Sequence, residues 1–265
     1  MCYDTVHLER NGPIFRLVLN VPERLNALSD QVLLDLSEAL DECAGSKEIR
    51  VLIITGAGRA FCAGADLKGR EPVGGPEKYD LLRRRISDQF NPTIKKLLAL
   101  PVPTIAAVNG VAAGGGFGLA LACDIVIAAE SADFILVFTP QLGLIPDMGA
   151  SWHAPRNLGR ARAMASAFFG DRIKAVEAEA QGLIWRAVPD ETFPQVVDDT
   201  AGKLADGPTL AYVANRQAID RAHTQSLNDQ LDLEAEIQPT LLMTEDFAEG
   251  QRAFLEKRKP AFKGR

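Results

Sequence analysis

Val51-Leu52-Ile53-Ile54-Thr55 runs directly into Gly56-Ala57-Gly58-Arg59-Ala60-Phe61-Cys62-Ala63-Gly64-Ala65-Asp66-Leu67. Further along, Thr104-Ile105-Ala106-Ala107-Val108 runs into Asn109-Gly110-Val111-Ala112-Ala113-Gly114-Gly115-Gly116-Phe117-Gly118. Each apolar run reads as a strand buried on both faces, and each loop then leads into a predicted helix. Neither loop is a nucleotide fingerprint. Phe61 stands where a dinucleotide motif needs glycine, and the second loop lacks the Lys-Ser/Thr ending of a P-loop. Unpaired backbone N–H groups at the start of a helix sit at the positive end of its dipole. Two such ends converging would hold a carbonyl oxygen as it gains negative charge. One loop alone reads as a tight turn.

Outward from these loops, Ile14–Leu19 and Ile125–Ala128 are further predicted strands. Ser29–Ala44 is a predicted helix, with Ser29 as its cap and Val32, Leu33, Leu36 and Leu40 on one face. A longer helical pattern covers about Lys78–Leu100, and its basic run Arg83–Arg85 reads as a solvated face. Alternating strands and helices give an α/β core over residues 1–207. After Gly207 the pattern is helical only, with helices predicted over Leu227–Met243 and Asp246–Lys257, so 208–265 reads as a C-terminal helical lobe. The chain has 265 residues, 47% hydrophobic, and a net charge of -6, which argues against a general nucleic-acid binder. Cys2, Cys43, Cys62 and Cys123 show no metal spacing and read as reduced thiols. Met1–Arg10 lacks an apolar signal core, and no apolar run is long enough to span a bilayer, so a cytoplasmic protein is expected. No His/Cys/Asp cluster suggests a metal, and no Gly-x-Ser-x-Gly elbow suggests a serine hydrolase.

Taken in order, Phe61–Leu67 followed by Asn109–Gly116 resembles the two signature loops of the crotonase (enoyl-CoA hydratase/isomerase) family. Pro22-Glu23-Arg24-Leu25-Asn26-Ala27-Leu28 is similar to that family's first substrate loop. Glu249-Gly250 through Ala253–Arg258 and Pro260 resembles its C-terminal segment. The resemblance implies an α/β, crotonase-type spiral of ββα units with a C-terminal helical lobe. It implies a thioester carbonyl held by the N–H groups of Ala65 and Gly115. It places Arg24, Leu25, Ala27, Ala63, Asp66 and Lys257 near coenzyme A, although an aspartate such as Asp66 is also a common helix cap. Coenzyme A would arrive as part of an acyl-CoA substrate, with no separate cofactor. A homotrimer or homohexamer is implied as well.

The reaction is decided by carboxylates. Hydratases of the family carry two glutamates; Gly118 stands at the first position, and Phe138-Thr139-Pro140-Gln141 offers none at the second. Asp147, in Gly143-Leu144-Ile145-Pro146-Asp147-Met148-Gly149, remains. Outside the family context, Pro-Asp followed by glycine two residues on is an ordinary turn. Within it, Asp147 resembles the acid/base of several isomerases and the nucleophile of thioester dehalogenases. Phe117, Phe138, Leu144, Ile145 and Met148 are expected to form an apolar pocket that raises its pKa. Gly143–Asp147, the Trp152 region, Pro155-Arg156, Gly159–Met164 and Gln230–Glu234 resemble the branch that isomerises phenylacetyl-CoA epoxides. Against that branch, Phe134–Gly143 is one residue longer and carries Pro140. His153, without a second histidine nearby, reads as packed or solvated. Isomerase chemistry is therefore expected. The rivals are a hydratase recruiting Glu130, a dehalogenase or hydrolase using Asp147 as nucleophile, and a non-catalytic binding subunit.

Overall fold

The structure, a computed structural model, describes residues 3–68 and 75–264. Cys2 and Arg265 lie outside the described residues. The chain opens with β1 (Val6–Asn11), β2 (Ile14–Leu19), α1 (Asp30–Gly45), β3 (Val51–Gly56) and β4 (Ala60–Cys62). Then come α2 (Tyr79–Arg85), α3 (Asn91–Leu98), β5 (Thr104–Val108), β6 (Val111–Ala113), α4 (Gly115–Leu121), β7 (Ile125–Ala129) and β8 (Asp133–Ile135). The rest is α5 (Ala150–Phe169), β9 (Ile173–Lys174), α6 (Ala175–Ala180), β10 (Arg186–Val188), α7 (Phe193–Ala205), α8 (Thr209–Ala222), α9 (Leu227–Leu242) and α10 (Glu245–Glu256).

Two sheets form, one in the order β1-β2-β3-β5-β7-β10 and a smaller one in the order β4-β6-β8-β9. In the large sheet β1 is antiparallel to β2, and every other pairing is parallel. The apolar runs are continuous because both faces of this sheet are covered. Leu52 and Ile54 of β3 join the main core, whereas Val51 and Ile53 join Ile105, Ala107 and Ile127 against Val197 and Ala201 of α7. This is the period-2 partition of a strand buried on both sides. α1 starts on a Ser29 cap whose side chain accepts from Val32 N, and it buries Val32, Leu33, Leu36, Ala39 and Leu40. The successive strand, strand, helix units carry both glycine loops to one place.

The helical stretch expected over about Lys78–Leu100 is formed from Tyr79 to Leu98; α2 runs into α3 through a π-helical turn at Ile86–Phe90, and Pro92 follows that turn. In the basic run, Arg83 is exposed, but Arg85 is ion-paired with Asp30 and its side chain is only 27% exposed. The helix expected directly after the first glycine loop is not formed through Lys68.

The C-terminal helices are fastened to the α/β part by two arginines. Arg216 of α8 donates twice to Asp124, at 2.5 and 2.6 Å, and also to the carbonyls of Leu98, Leu100 and Val102. Arg50 donates to Thr209 Oγ1 and to the carbonyls of Gly207 and Phe262. Among the described residues, no helix is long and apolar enough to cross a membrane, and no group of three or more His, Cys, Asp or Glu could hold a metal.

Candidate active site

The site begins with the Pro22–Leu28 segment. Pro22–Arg24 make a 3-10 turn, and Leu25 and Asn26 follow in the left-handed region (φ 54° and 55°). Asn26 is fully buried and holds this shape: its Oδ1 accepts from Val21 N, and its Nδ2 donates to Ala57 O and Ala60 O. The segment then zips onto the first glycine loop. Ala63 N donates to Leu25 O, Leu28 N to Gly64 O at 2.7 Å, and Asp66 N to Leu28 O. Arg24, Leu25, Ala27, Ala63, Ala65 and Asp66 are thereby gathered along one seam. Asp66 caps Lys68 N with Oδ1 and accepts from Arg24 with Oδ2. Its carboxylate therefore serves as a turn cap and also holds a guanidinium.

The second loop meets the first. Gly64 has φ +87°, and a Cβ built on it would lie 2.7 Å from Ala113 O and 3.1 Å from Gly115 N. Only glycine allows that approach. Asn109 clamps the base of the loops, donating to Gly56 O and Gly58 O and accepting from Gly56 N. Neighbouring amides are used internally: Gly114 N donates to Ile135 O and Phe117 N to Gly114 O. Among the described residues, the N–H groups of Ala65 and Gly115 have no protein acceptor. Gly115 is the first residue of α4, where such an N–H is unpaired by construction. A groove of about 710 Å³ opens beside the two loops, lined by Leu25, Ala63, Ala113, Ile135, Val137 and Gln141 among others, but Ala65, Gly115 and Asp147 are not among its lining residues.

Asp147 lies in the turn between the second sheet and α5. Burial pushes its carboxyl up to about 6, with a small opposing effect from its own backbone. Met148 is buried, and its Cγ would lie 3.3 Å from a Cβ on Gly115, so the residue beside Asp147 touches the second loop. The expected apolar pocket is only partly formed. Phe117, Phe138 and Met148 are buried, but Leu144 and Ile145 are 56% and 80% exposed, because the turn carries them outward. Phe138–Leu142 is a π-helical turn closed by Gly143 in the left-handed region. Pro140 sits within this turn in a position that needs no intrahelical N–H. The Phe138 ring reaches 3.7 Å from a Cβ built on Gly114, placing it beside the second loop.

Two sequence-derived candidates stand apart. Lys257 is the exposed left-handed cap of α10, and among the described residues it makes no hydrogen bond or ion pair with the loops. Glu130 is exposed at the turn after β7, its N–H donating to Val188 O. His153 is buried under Gly149, with burial holding its pKa down to about 4. Sequence reasoning missed the two asparagine clamps, Asn26 and Asn109. Their only signal was an amide inside an otherwise apolar or glycine-rich loop.

The fold and the paired loops define an acyl-CoA enzyme of the crotonase type. The enoyl-CoA hydratase/isomerase family profile matches residues 9–265, and the chain belongs to that family. It is 44% identical over 98% of its length to the 1,2-epoxyphenylacetyl-CoA isomerase of Escherichia coli, covering 97% of that protein. It is 43% identical, over the full length of both chains, to a Rhodobacter capsulatus protein described as a probable enoyl-CoA hydratase. The solved structure of an enoyl-CoA hydratase from Bacillus anthracis superposes with a TM-score of 0.91 at 35% identity, covering 99% of this chain and 100% of that one.

Proposed function

We propose that this chain is an acyl-CoA isomerase in which Asp147 moves a proton between two carbons of an oxyanion-stabilised enolate. The observation that carries this reading is the half-buried Asp147 carboxylate, with a pKa pushed to about 6, next to a residue that touches the Gly115 end of α4. The thioester oxygen would accept from Ala65 N–H and Gly115 N–H. Those donors are fixed by the scaffold before charge develops, and one such donor is typically worth about 3–4 kcal/mol in the transition state. Polarising the carbonyl acidifies the carbon beside it. Asp147 takes that proton, the electron pair delocalises into the enolate, and the protonated Asp147 returns the proton to a different carbon. The double bond shifts, or an epoxide ring rearranges, with no water consumed.

Hydration by paired glutamates is disfavoured, since Gly118 and Phe138–Gln141 carry no carboxylate. Similarity to an epoxyphenylacetyl-CoA isomerase supports the same direction. Coenzyme A enters as part of the substrate, seated along Arg24, Leu25, Ala27, Ala63 and Asp66, and this chemistry requires no further cofactor. Lys257 would contribute positive charge for the phosphates only across a subunit contact, which fits a homotrimer or homohexamer. The buried free thiols of Cys43, Cys62 and Cys123 support a reducing, cytoplasmic setting. The test is turnover of a panel: a 3-enoyl-CoA, an epoxide of phenylacetyl-CoA, and a 2-enoyl-CoA for hydration. Isomerisation of either of the first two, faster than hydration of the third, is expected; the reverse order would overturn the reading.

A further inference from the structure

We infer that Gly118 is the positioning residue for Asp147: the missing side chain on α4 is the seat of the Met148 backbone, so a side chain at residue 118 and the observed Asp147–Met148 turn exclude one another. The inference rests on the reading of Asp147 as the proton carrier. Gly118 lies three residues after Gly115, on the same face of α4. A Cβ built on Gly118 would overlap the Met148 carbonyl oxygen and lie 2.9 Å from Met148 Cβ and 3.0 Å from its carbonyl carbon. Two of these three are backbone atoms, which no rotamer change can move aside. The Met148 side chain continues over Gly115, with Cγ 3.3 Å from a Cβ built there. Met148 thus spans two side-chain-free positions on one face of the helix, and Asp147 is the residue before it.

The turn needs that seat. Met148 is a non-glycine residue at φ +51°, followed by Gly149 at φ +79°, a conformation that non-glycine residues rarely adopt. Its other supports are a bond from Ala150 N to Asp147 O at 2.9 Å and the His153 ring packed under Gly149. Residue 118 is also where the family's hydratases carry a glutamate. The same position therefore either holds a water-activating carboxylate or admits the turn that delivers Asp147. Gly118→Glu alone should remove one chemistry without installing the other.

The test reads Asp147 directly. The carboxyl is followed by ¹³C NMR titration of the full chain, assigned by its loss in Asp147→Asn, for the wild type and Gly118→Ala. The wild-type carboxyl should titrate near 6. In Gly118→Ala the displaced turn should expose it, lowering its proton affinity roughly tenfold or more. Isomerisation kcat should fall about tenfold or more while KM for the thioester stays within roughly threefold. Should Gly118→Ala fail to fold, Met148→Gly keeps the backbone that fills the seat and suits its left-handed φ, so Asp147 should still titrate near 6; a roughly tenfold drop in its proton affinity would place the support in the Met148 side chain and overturn the inference. An Asp147 titration unchanged in the folded variant would overturn the inference. So would efficient hydration by Gly118→Glu with Asp147 still titrating near 6. Full isomerase activity in Asp147→Asn would instead sink the functional reading, while the titrations would still decide the role of Gly118.

Discussion

Arg24 Nη1 donates to Asp66 Oδ2 across 2.6 Å, joining the segment before α1 to the loop after β4. Asp66 is buried, whereas the Arg24 side chain is half exposed, so the pair fixes a guanidinium at the surface beside the Pro22–Leu28 segment. With one partner buried and also capping Lys68 N, the pair holds the loop as well as the guanidinium. In the proposed site this guanidinium would aim positive charge at a phosphate. Asp66→Ala should weaken coenzyme A binding roughly tenfold, the scale of one charge-assisted contact, and lower stability by about 1 kcal/mol through the lost Lys68 cap. Calorimetric titration with coenzyme A measures this, and unchanged affinity would remove Arg24 and Asp66 from the phosphate site.

Asp147 sets activity against stability. An aspartate whose folded pKa is raised from 3.8 to about 6 costs folding free energy wherever it ionises. The unfolded chain gives up this proton first. Stability from this group is therefore present below about pH 4, is lost as pH rises to about 6, and stays lost above that. Asp147→Asn should stabilise the protein at pH 7 by up to about 3 kcal/mol, and by almost nothing near pH 3. Denaturant unfolding at the two pH values tests this. In the same pH window, wild-type kcat/KM should rise as the carboxyl ionises and level off above about pH 6.

Arg216 is mostly buried and spends its donors on Asp124 and three carbonyls. Arg216→Met would leave those carbonyls without their donor and Asp124 without its counter-charge, held only by Thr104 N and Oγ1. A loss of about 3–5 kcal/mol is expected in equilibrium unfolding. A loss below about 1 kcal/mol would mean that α8 is held by packing alone.

The helices after Gly207 expose Leu227, Met243, Phe254 and Leu255 at 73%, 88%, 83% and 74%. Apolar surface on this scale calls for a covering partner. Light scattering at micromolar concentration should give a trimer or hexamer; a monomer would contradict the assembly proposal.

The sequence revealed the parts of the fold whose residues follow a simple period. β3 and β5 were legible because Val51–Ile54 and Ile105–Val108 are unbroken apolar, buried runs, and α1 because its cap and its face agree. The three-residue strands β4, β6 and β8 are too short to show any period. α4 starts Gly-Gly-Phe-Gly, a poor helix sequence that burial alone makes helical. Asp147 was legible as a candidate, but its setting was not. The Met148 contact with Gly118 joins distant stretches of chain, and the outward turn of Leu144 and Ile145 depends on the left-handed residues after Asp147.

The central claim is that Asp147 carries the proton. Its most direct test is the rate of double-bond migration in a 3-enoyl-CoA by Asp147→Asn, beside the wild type. Asparagine keeps the size and the turn but cannot act as the base, so kcat should fall by about 10²–10⁴-fold with the fold intact. Undiminished migration by Asp147→Asn would contradict the account.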